Sequence, residues 1–282
     1  MPFNAQVTGL RLGPIDWTVS TRRILSYRAV IAPEDLAGLD DARPGGLPMA
    51  PMAIVSPEWV LALMLKGAPG QTMSEVESRQ AVHAGQDSRF LRPVRAGETL
   101  SVEAELLGAR ESRAGTVAAI RYRSFDERGD LVVESLSTSV YRGVALGGPS
   151  ASELPTIGPF EPPATTPWRR LAIPFGAGFP HAYTECAEIW NPIHTERQVA
   201  LAAGLPDIIV HGTALWAAAG AAIASELGLG LEAVTRLAAR FEAPCLAATT
   251  PVLDVHEVVG GYSFALIGGQ GQRLMSGRAE LG

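Results

Sequence analysis

Residues Tyr183 to Ala219 read Y-T-E-C-A-E-I-W-N-P-I-H-T-E-R-Q-V-A-L-A-A-G-L-P-D-I-I-V-H-G-T-A-L-W-A-A-A, and the fold follows from how this stretch is punctuated. Asn191-Pro192-Ile193-His194 predicts a helix start, because asparagine is a favoured N-cap and proline fits the first helical position, where its missing N–H has no partner to lose. His194 then falls in the first turn. The positive end of the helix disfavours imidazolium there, leaving a neutral ring that can take a proton near pH 7. Gly204 and Pro206 close this short helix. His211-Gly212 opens a second one, running from Thr213 to Glu226 and about 21 Å long at ~1.5 Å per residue. Its free N-terminal amides, with Gly212 giving close access, suit an anion or a developing oxyanion.

Outward from this stretch, the same order of elements appears earlier in the chain. Ser20 to Ala32 predicts an opening strand stopped at Pro33, and Asp35 to Asp41 a short helical turn. Ser56-Pro57-Glu58 predicts a helix start with Ser56 as cap. The helix Pro57 to Lys66 is apolar nearly all round, which calls for structure wrapped about it. From Gln80 the period drops towards two: Ala81 to Arg92, Glu98 to Ala109, Thr116 to Asp126 and Leu131 to Tyr141 predict strands, the last pair joined by the Glu127–Asp130 turn. Gly147 to Trp168 is rich in Pro, Gly and Ser and predicts a linker. Beyond it, Arg170 to Pro174, Thr235 to Glu242, Pro251 to Val258, Tyr262 to Ile267 and Arg273 to Glu280 predict further strands.

A long apolar helix followed by consecutive strands thus occurs twice. Arg89 to Thr99 and Arg240 to Thr250 share R-F-x-x-P-x-x-A-x-x-T at an offset of 151 residues, and the two helices sit at nearly the same offset. The pattern points to an internal duplication.

The signature stretch resembles the MaoC-like family of (R)-specific enoyl-CoA hydratases and dehydratases. The family pattern runs tyrosine, then Ser-Gly-Asp-x-Asn-Pro-(Ile/Leu/Val)-His, then a downstream His-Gly. Tyr183, Asn191, Pro192, Ile193, His194, Ala200, Gly204, His211 and Gly212 match it. The unchanged Tyr-to-Asn spacing places Ala187, Glu188 and Ile189 where the family has Ser, Gly and Asp, so an isoleucine stands at the catalytic aspartate's position. The resemblance implies an α+β chain of two tandem (double) hot-dog folds, each a curled antiparallel sheet around a long central helix. Residues 1–146 form the N-terminal repeat without the signature, 147–168 the linker and 169–282 the C-terminal repeat that carries it.

It further implies a hydratase or dehydratase acting on an enoyl- or 3-hydroxyacyl-CoA (or carrier-protein) thioester, with no cofactor and no metal. His194 is the expected base, Gly212 the oxyanion amide, and Glu188 the carboxylate that takes over from the missing aspartate, swung in by a local bulge. Asn191, Trp190, His211, Thr213 and Tyr183 are the expected substrate-binding set. Arg89, Arg92 and Arg95 make a basic stripe, read as a solvated face or as a contact for CoA phosphates. A hot-dog thioesterase and a degenerate acyl-CoA-binding subunit remain open beside the hydratase, as do a homodimer and a hetero-oligomer with another hot-dog chain.

Composition is consistent with this. Of 282 residues, 47% are hydrophobic and 18% charged, with a net charge of −6, which favours a packed core and offers nucleic acid or anionic membrane no general attraction. Ile208 to Ala224 is apolar but short for a bilayer and interrupted by His211-Gly212, so a buried helix is expected instead. Two cysteines, Cys186 and Cys245, make neither a disulfide framework nor a zinc spacing, and a cytoplasmic setting is expected. Without any covalent step to perform, Cys186 is expected to be chemically silent.

Overall fold

The computed structural model describes residues 1–282. Twelve strands and six α-helices follow one another as β1 (Phe3–Asn4), β2 (Arg11–Thr18), α1 (Thr21–Ile31), α2 (Val55–Lys66), α3 (Glu75–Ser78), β3 (Ala81–Phe90), β4 (Thr99–Ser112), β5 (Gly115–Phe125), β6 (Leu131–Arg142), β7 (Leu146–Gly147), β8 (Arg169–Ala172), α4 (Phe179–Ala187), α5 (Arg197–Ala202), α6 (Gly212–Glu226), β9 (Val234–Phe241), β10 (Val252–Val258), β11 (Gly261–Ile267) and β12 (Arg273–Leu281). Ten strands make one continuous sheet in the order β2-β4-β5-β6-β3-β9-β12-β11-β10-β8. Everything left of the β3/β9 joint precedes residue 143 and everything right of it follows residue 168. Each half carries its own long helix, α2 or α6, so the architecture is a double hot-dog.

The joint shows the duplication directly. β3 and β9 pair antiparallel over Gly85↔Arg240 to Arg89↔Arg236, and the middle pair is Asp87↔Ala238. Those two residues are 151 positions apart, the offset of the sequence repeat. A local two-fold axis therefore crosses the ladder at its midpoint. Arg236 clamps the joint by reaching Asp87 through Nε (2.9 Å) and Nη2 (2.8 Å), a bidentate geometry that fixes register as well as adding energy.

Helix α6 is buried almost all round. Gly220 lets it approach the sheet, since a Cβ there would lie 2.8 Å from Leu237, and the Trp216 indole N–H donates to the Leu237 carbonyl (3.1 Å). Helix α2 is not wrapped as its sequence suggests. It buries Val55, Glu58, Leu61 and Leu65, while Val60, Leu63 and Met64 stay exposed. Ser56 lies within this helix, and no side chain caps the start at Ile54.

The segment from Ser20 to Ala32 is a helix, where a strand was expected. Ser20 caps it by accepting from the Arg23 N–H (3.2 Å), and the buried residues Ile24, Tyr27, Arg28 and Ile31 recur at helical spacing. The true edge strand is β2, which the Gly13-Pro14 step disguises. Proline is tolerated there because an edge strand has one unpaired side. Residues 148–168 carry no helix or strand, yet they lie against the sheet: Ile157 is buried and sits over Gly85, whose Cβ would come within 3.3 Å of it.

Candidate active site

The site is built where α4, the following turn and the start of α6 converge. Asn191 caps a 3-10 turn, Pro192–His194, through its side-chain oxygen and the Ile193 N–H (3.4 Å). The helix expected to run on from this point is broken in two, because α5 begins only at Arg197. A turn of three residues has little dipole, so the neutrality of His194 has another origin. Its ring is buried, and its proton affinity is pushed down to about 4 chiefly by desolvation, with the Ile209 carbonyl opposing. That carbonyl accepts from Nδ1 at 2.8 Å, which assigns the proton to Nδ1 and leaves the lone pair on Nε2.

His211, the N-cap residue of α6, lies against this base. The two imidazoles stack with centroids 3.7 Å apart and planes 22° apart. Nε2 of His211 lies 3.2 Å from the Thr184 hydroxyl and 3.4 Å from the Ile189 carbonyl oxygen. A carbonyl can only accept, so the proton sits on Nε2, and Nδ1 is left buried without a partner. Burial, with His194 as the second cause, holds His211 well below its ordinary range. The next residues, Gly212 and Thr213, open α6, where main-chain N–H groups have no acceptor in the helix. An unprotonated imidazole and a helix start with free amides are thus brought within a residue of one another.

The stretch between Ala187 and Ile189 differs from expectation. Glu188 adopts the left-handed conformation (φ 56°, ψ 33°) as the C-cap of α4. This is the position where the family pattern has glycine, and glycine adopts that conformation without steric cost. No bulge turns Glu188 inward. Its carboxylate pairs with Arg23 of the N-terminal repeat at 2.9 Å, on the wall of a shallow depression that Trp17, Met49, Ser56 and Cys186 also line. It forms no hydrogen bond or ion pair with His194, so the expected partnership of these two residues is corrected. Ile189 is buried, and its carbonyl oxygen meets Nε2 of His211.

The other expected contacts divide. Tyr183 is fully buried behind His211, with ring centroids 5.0 Å apart. Its hydroxyl faces Tyr27, and burial pushes its pKa up. Thr213 is buried beside it. Trp190, expected as groove lining or core, is 58% exposed. Burial pushes the Cys186 thiol up to about 12, so it is protonated and a poor nucleophile. In the basic stripe, Arg92 is taken up by Glu98 and Asp126, and Arg95 by the Gly45 and Gly46 carbonyls. No group of three His, Cys, Asp or Glu side chains is placed to hold a metal ion. No helix is long and apolar enough to cross a membrane.

Two residues near the site were not anticipated. Phe241 closes over Gly212, where a Cβ would lie 3.3 Å from its ring, and His83 from β3 meets that ring at 5.0 Å. The repeat alignment of Phe90 with Phe241 marked the position of Phe241 but not its contact.

Comparison with known proteins agrees with the geometry. The chain is a double hot-dog protein: a conserved hypothetical protein of Mycobacterium tuberculosis described as having a double hotdog fold superimposes with a TM-score of 0.61 at 14% identity, over 96% of this chain and 95% of that one. A MaoC-like dehydratase from Phytophthora capsici superimposes with a TM-score of 0.81 at 18% identity, over 99% and 97%. Within that fold, residues 183–260 match the family model described as the MaoC like domain. In sequence, the chain is similar to 3-hydroxyacyl-thioester dehydratase Y of Mycobacterium tuberculosis, with 33% identity over 168 residues, 58% of this chain and 57% of that protein. The match therefore spans just over half of that relative's length.

Proposed function

We propose that the protein is a hydratase/dehydratase that adds water reversibly across the double bond of an enoyl thioester, giving a 3-hydroxyacyl thioester. The observation that carries this reading is a neutral imidazole, His194, with its Nε2 lone pair free, stacked on the residue that precedes the first amides of α6. In the hydration direction, Nε2 of His194 takes a proton from water while the water oxygen bonds to the β-carbon. The π electrons move to the α-carbon and thioester carbonyl, and the resulting enolate oxygen is held by the Gly212 and Thr213 amides at the positive end of α6. The proton on His194 then passes to the α-carbon. Atoms and charge balance with one base, so no carboxylate is required beside it, although its absence leaves the transient imidazolium without a counter-charge.

The dehydratase relative and the MaoC like domain support this chemistry for the C-terminal half. The thioester carrier, CoA or a carrier protein, a cytoplasmic setting suited to two unpaired thiols, and assembly with a second hot-dog chain belong to the same proposal. The test is loss of enoyl absorbance with crotonyl-CoA and longer enoyl-CoAs. Wild type is expected to turn over without releasing free thiol, and His194→Ala to lose nearly all activity. Equal rates in both proteins remove His194 from the mechanism, and thiol release detected with DTNB would mark a thioesterase instead. The burial of Ile189 at the aspartate position favours a second reading, a thioester-binding subunit without turnover, which predicts binding of crotonyl-CoA with no change in absorbance.

A further inference from the structure

The base of this site is anchored by only one hydrogen bond. The Ile209 carbonyl holds Nδ1 of His194, but a single bond at Nδ1 leaves the ring free to turn about the line through it. Where a carboxylate stood at position 189 it could supply a second anchor, and the buried side chain of Ile189 cannot. Instead the Ile189 main-chain carbonyl and the Thr184 hydroxyl grip Nε2 of His211, and His211 lies flat on His194 at 3.7 Å.

We infer that His211 is the positioning residue of the site: gripped at one edge by Thr184 and Ile189, its ring sets the plane of the His194 imidazole and shields one face of it from water. The inference rests on the hydratase reading for its kinetic arm and on geometry alone for its spectroscopic arm. The stack does two things. It aims the Nε2 lone pair of His194, and small misplacements of a reacting group cost up to about a hundredfold in rate. It also contributes to the burial that holds His194 near 4, so opening the stack to water returns the ring towards the ordinary ~6.5 of histidine. The other titratable groups around the pair do not oppose this. Tyr183 on α4 is a neutral phenol, Glu188 and Asp207 on the flanking turns are paired with Arg23 and Arg197, and His83 on β3 meets Phe241.

Three variants separate positioning from bulk packing. His211→Ala removes the ring. His211→Gln keeps a group able to bond Thr184 and Ile189 but offers no plane to stack on. His211→Phe keeps the plane and the shielding but not the grip. In crotonyl-CoA hydration, the Ala and Gln variants are expected to lose about 10- to 100-fold in kcat with KM within about threefold. Their acid limb should move up by at least one pH unit, whereas Phe, which keeps the stacked plane but loses the grip, should keep the wild-type limb while its kcat falls. In parallel, NMR titration of ring-labelled histidine reads His194 without substrate, and its midpoint is expected to rise in the Ala and Gln variants and to stay low in Phe.

If wild type hydrates nothing, the functional reading fails while the titration still decides the role of His211. If the His194 midpoint and kcat are unchanged in folded Ala or Gln protein, the positioning role is overturned. Should Ala not fold, Gln carries the same expectation. A Phe variant that titrates like Ala would show that the grip, not the stacked ring, shields the base, and would overturn the proposal as stated.

Discussion

The hydroxyls of Tyr27 and Tyr183 face one another at 3.4 Å across the packed helices α1 and α4, and the two residues hold the same place in the two repeats. Tyr183 stands eight residues before Asn191, the cap of the Pro192–His194 turn. Tyr27 stands eight residues before Asp35, whose carboxylate caps the Leu36–Leu39 turn by accepting from the Gly38 N–H (2.9 Å). The frame of the site was therefore duplicated along with the sheet. Each tyrosine is buried, so removing one hydroxyl deprives the other of a partner. Tyr27→Phe and Tyr183→Phe are each expected to cost about 1–2 kcal/mol in urea unfolding, and the double variant less than their sum. Strict additivity would mean the two hydroxyls do not interact.

In the N-terminal copy this frame holds an ion-pair lock in place of chemistry. Arg28 follows Tyr27 as Thr184 follows Tyr183, and it is fully buried. It reaches Asp35 at 2.7 Å, Glu232 of the C-terminal repeat at 2.9 Å and the Pro48 carbonyl at 3.1 Å. Truncating one member of such a cluster strands the others, so Arg28→Ala is expected to destabilise by about 3 kcal/mol or more. Calorimetry checks this, and a thermal midpoint equal to that of wild type contradicts it.

These relationships define how much of the molecule was legible in the sequence. The repeat R-F-x-x-P-x-x-A-x-x-T located the two-fold joint because its Arg-Phe pair closes both strands, Arg89-Phe90 in β3 and Arg240-Phe241 in β9, and such a strand end is read locally. The duplicated tyrosine and cap went unread because Asp35 caps as well as Asn191 does, and no motif search for Asn-Pro-Ile-His finds it. Helix α1 read as a strand because its isoleucines and valine suit both periods, and the deciding contact, α1 on α4, lies about 156 residues away in sequence. The Asn191 cap before His194 and the start of α6 at Gly212 were legible from their own residues. The orientation of Glu188 was not, because it depends on one left-handed residue.

That residue gives a direct test. Glu188 sits at φ 56°, where a side chain costs about 1 kcal/mol relative to glycine, and its partly exposed pair with Arg23 contributes at most about 1 kcal/mol. Glu188→Gly is expected to leave stability unchanged or slightly raised, and Glu188→Gln to retain kcat within about fivefold. A loss of a hundredfold or more in kcat for Glu188→Gln would restore this carboxylate to the chemistry.

Acid stability follows from the buried histidines. His83 and His194 are pushed down to about 4 and His211 is held well below its ordinary range, each chiefly by burial. Groups with depressed folded values take up protons on unfolding, so their contribution is present above about pH 6.5, the unfolded value, and is lost as pH falls towards 4. Stability is expected to drop steeply over that interval, with up to three protons bound per molecule unfolded before other groups are counted. Urea midpoints measured from pH 7 to 4.5 give the slope. A flat profile would mean these rings are solvated in the folded protein.

Glu58 acts in the opposite direction. It lies on α2, buried, with one carboxyl oxygen accepting from Gln86 Nε2 (2.9 Å) and the other without a partner, and desolvation raises it to about 7. For an acid raised from an unfolded value near 4.3, the stabilising contribution is complete below that value and is lost as pH rises through 7. The loss is on the order of 3 kcal/mol at pH 8 if the whole shift is realised. Glutamine at this position removes the cost of burying a charge while keeping the shape and a carbonyl acceptor for Gln86. Glu58→Gln is therefore expected to be more stable than wild type at pH 8 and to show little advantage at pH 5. The reverse order would show that the folded protein accommodates the ionised carboxylate, with the Gln86–Ser88–Ser135 hydrogen bonds oriented to receive it.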